Sequence, residues 1–100
     1  MIIQLFIACQ RGHYDIAKLL FENERIERNK PNDEGETPFF IACRNGHIKI
    51  VQYFLANERD VHLNTINFNG KTPIDTAREN ININFFFGLL VGLNYVYLLH

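Results

Sequence analysis

The sequence contains no serine and no tryptophan. Without serine there is no Ser-His-Asp triad and no phosphate-binding loop closing on serine; threonine remains, but no glycine-rich run leads into it. Basic blocks are also missing, since ten Lys and Arg stand against eleven Asp and Glu for a formal net charge of −1. Nucleic acid backbones are held by clustered cations, so nucleic acid is not expected as a partner. Cysteine is scarce, with Cys9 and Cys43 alone, and no N-x-S/T glycosylation acceptor occurs. Charge is absent from both ends: no Asp, Glu, Lys or Arg precedes Arg11 or follows Glu79. What is present is apolar, 47% of 100 residues, enough for the core of one domain.

That apolar material is organised by repetition. FIACQRGH (Phe6 to His13) returns as FIACRNGH (Phe40 to His47), 34 positions later and identical at six of eight places. The flanks follow, GHYDIAKLLFENER lying over GHIKIVQYFLANER. A third copy appears at a spacing of 35, where GETPFFIACRN (Gly35 to Asn45) lies over GKTPIDTAREN (Gly70 to Asn80). In the second and third copies Thr-Pro opens a helix, with Thr37 as N-cap and Pro38 at the first helical position, while Ile3-Gln4 stand in its place in the first. Phe39, Ala42 and Cys43 stand at i, i+3 and i+4, an apolar stripe small enough for a close neighbour; Leu5, Ala8 and Cys9 repeat it. Gly46 and Gly12 fall where the chain must reverse in the left-handed region. Ile50, Val51, Phe54 and Leu55 form the face of a second helix, with Ile16, Ala17, Leu20 and Phe21 in the same places. Asn57 and Asn23 suit a left-handed cap, and the polar stretch from there to Gly70 has hairpin-turn chemistry.

Cys9 and Cys43 are thus one repeat position seen twice, on neighbouring helices whose axes lie about 8–10 Å apart. A disulfide wants Cα atoms within about 7 Å, so both are expected to be buried and reduced, as suits an intracellular, cytoplasmic compartment. MIIQLFIAC is read as repeat rather than signal peptide, because no positive residue precedes it and FIAC returns in mid-chain.

GETPFFIACRNGHIKIVQYFL resembles the ankyrin repeat: Thr37-Pro38-Phe39-Phe40-Ile41-Ala42, Gly46-His47, and Ile50-Val51 with Phe54-Leu55 match its pattern. The resemblance implies an all-α solenoid of helix-turn-helix units with β-hairpin fingers between repeats. Residues 1–100 are expected to form a single domain, with a truncated repeat at about 3–31, a complete one at about 32–66, a degenerate one at about 67–91 and an apolar tail at 92–100. Phe40, Phe6 and Asp75 replace the family's histidine; Asp75 is placed to form a capping box with Thr72. Ile81 stands where the third turn's glycine belongs, Gly88 interrupts its second helix, and Arg28 sits where Leu63 is apolar.

The resemblance also implies function: binding another protein, without catalysis and without a cofactor. Carried over position by position, the contact surface comprises Asp33, Glu34 and Glu36 on one finger and Phe68, Asn69 and Lys71 on the next. Gln10, Arg11, Arg44, Asn45 and Glu79 join it from the ends of the inner helices. His13 and His47 share one repeat position and have no cysteine or carboxylate spaced with them for metal, so no metal site is expected. The rival reading is a membrane-tethered adaptor anchored by the charge-free tail, residues 81–99, although Phe85 to Leu99 is shorter than the roughly 20 residues that span a bilayer. Uncharged ends fit either a segment of a longer array or an oligomer, and both lead to the expectation that the chain self-associates through an end.

Overall fold

A computed structural model describes residues 2–80. Within them the chain forms helices α1 (Ile2–Arg11), α2 (Tyr14–Glu22), α3 (Pro38–Arg44), α4 (Ile48–Ala56) and α5 (Pro73–Asn80), with a 3₁₀ turn at Glu58–Asp60. The second helix expected around Phe85, Phe86, Leu89 and Leu90, the tail and the membrane reading lie outside the described residues. Among the described residues no helix is long and apolar enough to cross a membrane.

Local chemistry explains the helix starts. The Thr37 hydroxyl accepts from the Phe40 N–H (3.1 Å), with Pro38 at the first turn. At α5 the expected capping box forms: the Thr72 N–H donates to the Asp75 carboxylate (3.0 Å) and the Asp75 N–H to the Thr72 hydroxyl (3.2 Å). That backbone bond is the main cause holding the Asp75 carboxyl below its ordinary value. The first turn-glycine, Gly12, has φ +76°, and a Cβ there would come within 2.5 Å of the His47 ring. Only glycine meets both conditions.

The asparagines behave differently from expectation. Asn23 and Asn57 have φ of −77° and −117°, so neither is a left-handed cap. Their side chains hold the chain instead: Asn23 Oδ1 accepts from the Arg25 N–H (3.0 Å), and Asn57 Nδ2 donates to the Tyr53 carbonyl (2.8 Å). Competition between side chain and backbone for local hydrogen bonds is what favours Asn at such places.

Two layers build the stack. Helix α3 packs between α1 and α5, while α4 packs on α2 and on α3. Leu5, Ala8, Cys9, Phe39, Ala42 and Cys43 are all buried between the inner helices, as the small-residue stripe requires. Phe54 sits at the joint, its ring 4.9 Å from Phe21 and 6.1 Å from Phe39. Ile50, Val51 and Leu55 are buried beside it. The equivalent face of α2 is only half covered: Ala17 and Phe21 are buried, but Ile16 is exposed, against expectation. Nothing among the described residues precedes α2 in the stack to cover Ile16. Arg28 is accounted for by the end of α2, where its Nε donates to the Phe21 carbonyl (2.6 Å) and its guanidinium lies 4.8 Å from the Phe21 ring centre.

Both cysteines are free and buried. Burial pushes the Cys9 thiol up to about 12, and Cys43 higher still, by burial first and the neighbouring Cys9 second. A folded value above the unfolded one of 9.0 means that this stability is whole below pH 9.0 and is lost as pH climbs towards 12. Native thiols should therefore resist a bulky maleimide at neutral pH and react promptly in denaturant; fast labelling of the folded chain would contradict their burial. In a second experiment, Phe54→Ala should cost about 3–5 kcal/mol in urea unfolding. Ile16→Ala, at an exposed position, should stay within about 0.5 kcal/mol.

Candidate functional site

The fingers are tight turns built on a repeated asparagine. Asn32 Oδ1 accepts from the N–H groups of Glu34 (3.0 Å) and Glu36 (2.9 Å), and Asn67 Oδ1 from those of Asn69 and Lys71 (3.0 Å each). Backbone bonds from Asn32 to Glu36 and from Asn67 to Lys71, each 2.9 Å, close the loops. The β-hairpins expected here are not formed, and no strand occurs among the described residues. The asparagine carboxamides satisfy backbone groups that a strand ladder would otherwise pair. The two fingers are joined by the Phe68 N–H, which donates to the Glu34 carbonyl (3.0 Å). Phe68 also lies over Gly35, where a Cβ would stand 3.0 Å from its ring. Gly35, at φ +81°, is thus required by both the turn and the ring above it.

Glu36 does not belong to the exposed surface. It is buried, and its carboxylate takes a bond from Arg44 at 2.7 Å, with the Asn32 and Asn67 carboxamides each at 3.5 Å. A buried carboxylate is tolerated only when paired, so the position that looked like a contact residue is instead the clamp between two fingers and α3. One unit later the same two positions hold Lys71 and Glu79, again eight residues apart and again an ion pair, with the charges exchanged. Sequence reading placed all four residues on the surface without pairing them. The signal was present: opposite charges at aligned positions with one spacing.

Some of the remaining surface residues line two clefts that share Gln10. Gln10, Arg44 and Asn45 line one with His47, where Asn45 Nδ2 and His47 Nε2 both reach the Gln10 carbonyl, at 3.0 and 2.9 Å. His47 therefore ties the end of α1 to the start of α4. The second cleft joins Gln10 and Asp33 and has an apolar floor of Ile3, Phe6 and Ile7 against Lys30, Pro31 and Asn32. Those floor residues were missed, because their exposure depends on what stacks beside them. Glu34 and Asn69 are exposed at the finger tips, and Arg11 is exposed at the end of α1. Phe68 is 79% exposed, with Ile66 exposed beside it. Lys71 and Glu79 keep partial access while paired.

Burial separates the energetics of the two ion pairs. Removing Glu36 leaves the buried Asn67 carboxamide and the half-buried Asn32 and Arg44 without their shared acceptor, so Glu36→Ala should destabilise by about 1–3 kcal/mol. Lys71→Ala breaks a solvent-exposed pair and should cost less than about 1 kcal/mol. Thermal or urea unfolding of both variants measures the difference; equal losses would show that Glu36 is not the clamp.

No curated protein matches the chain. A family model of ankyrin repeats, in three copies, matches residues 5–95. With paired helices stacked in register, glycine turns between them, and that match over most of its length, the chain belongs to the ankyrin repeat family.

Proposed function

We propose that the chain is a non-catalytic module that binds another protein through its finger tips and inner-helix ends. Ankyrin repeats are generally protein–protein interaction modules, and the family is generally non-catalytic. The observation that carries the assignment of the surface is Phe68: a large aromatic, 79% exposed, on a turn whose backbone is held by Asn67 and by the neighbouring finger. Exposed apolar rings are costly to leave in water, and a ring on a rigid turn loses little entropy on docking. Aromatic anchors of this kind carry a large share of binding energy at protein interfaces. Around it, Asp33 and Glu34 supply acceptors, while Gln10, Arg11, Asn45 and Asn69 supply polar contacts of both kinds. Glu36 acts from behind, keeping Arg44 and both fingers in place. The buried thiols suit residence in a reducing, intracellular compartment.

A photo-activated cross-linker tests the surface. Placed at position 68 in the full chain, it should capture a partner that unlabelled chain competes away. Placed at Gln52, exposed on α4 away from the fingers, it should not. Phe68→Ala in the unlabelled competitor should weaken competition by about 10-fold or more, the scale of an interface anchor. Equal capture from both positions would place binding elsewhere.

A further inference from the structure

The repeat lets one helix pair be compared with the next at matched positions. On α3 and α4, Ile41 and Ile50 are 0% and 2% exposed, because the α1–α2 pair covers them. Tyr53 on the same face is covered by Phe21 at 5.2 Å and bonds through its hydroxyl to Glu22 (3.2 Å). Thirty-four positions earlier the matching residues are Ile7, Ile16 and Leu19. These are 37%, 53% and 71% exposed, and Ile3 beside them is 61% exposed. The α1–α2 pair therefore displays in the open the face that α3–α4 buries.

We infer that this open face is covered by the charge-free C-terminal segment, residues 81–100, of a second copy of the chain, joined head to tail. Three observations commit it to that occupant. The face is of the leading type, and among the described residues such a face is met by the trailing side of a neighbouring pair, as that of α3–α4 is met by α1–α2. The last described helix, α5, packs on α3, and after it the sequence continues for 20 residues without Asp, Glu, Lys or Arg, 14 of them apolar. Within that segment Phe85, Phe86, Leu89 and Leu90 repeat the spacing of Ile50, Val51, Phe54 and Leu55, residues that serve as core one unit earlier. A copy stacked this way prolongs the contact already made between consecutive pairs. Because the two surfaces differ, the contact is heterologous, and assemblies grow unless they close into a ring.

The full-length chain and an Ile16→Arg/Leu19→Arg variant are compared by light scattering after size exclusion. The wild type should show a mass that rises with concentration above the 11.7 kDa of one chain. The variant alone should remain at one chain, its self-association weakened by about 100-fold or more, since each arginine would be buried without a partner. Its helical circular dichroism should be unchanged, because both positions are exposed. Mixed with the wild type, a tagged variant still offers its own C-terminal segment; it should co-elute with wild type and lower the mean mass by ending the growing assemblies. A monomeric wild type would overturn the inference, as would a variant that assembles normally. A variant that fails to join the wild type would show that the open faces meet each other, or another part of the chain, and would equally overturn it. Capture from position 68 is measured separately, so this inference and the finger-surface reading can fail independently.

Discussion

Everything described here depends on one contact, the packing of the α3–α4 pair against α1–α2 around Phe54. Helices of seven to ten residues are too short to persist alone in water. Each pair has one apolar face too many to bury by itself, and only a neighbour in register removes it from solvent. Phe21, Phe39 and Phe54 come from three different helices and meet at that joint. The small residues Ala8, Cys9, Ala42 and Cys43 let the inner helices approach closely enough for it to close.

The fingers inherit their positions from this packing. Glu36 follows Asn32 and precedes Thr37, so a single short segment makes the turn, the buried ion pair and the cap of α3. The carboxylate is out of water and therefore selects one arrangement of its donors, Arg44 from the helix and the carboxamides of two fingers. Its counterpart one unit later is an exposed pair of reversed sign, where solvent screening weakens the attraction. A rigid, buried clamp and a softer, exposed one thus lie side by side, and Phe68 stands on the turn between them. The proposed binding surface rests on a frame whose buried carboxylate, Glu36, lies behind it.

Unlike a closed globule, a stack has ends, and their composition matters. Among the described residues the second pair is covered on its leading side, whereas on the first pair Ile3, Ile7, Ile16 and Leu19 are exposed. The repeat rule that makes the interior legible makes the end conspicuous, since an identical position changes from core to surface with no change in residue type. Ile16 and Ile50 differ in whether another described helix pair lies against them.

Much of the fold was legible from letters. The 34-residue recurrence, the Thr-Pro starts, the Gly12 and Gly46 turns, the buried stripe and the Thr72–Asp75 box depend on residues a few places apart, and local backbone chemistry decides them. The place of Phe68 on a finger followed from the resemblance, and its exposure from the structure. Other features depend on neighbours distant in sequence. Asn32 and Asn67 bind backbone N–H groups within turns that backbone bonds also close, a detail that periodicity does not carry. Glu36 moved from surface to interior because Asn67, 31 residues away, and Arg44 converge on it. Sequence by itself determined the unit and its period, since these follow from short-range periodicity and caps; tertiary structure alone decided which face of each unit meets water, because burial belongs to the pair of surfaces and not to either one.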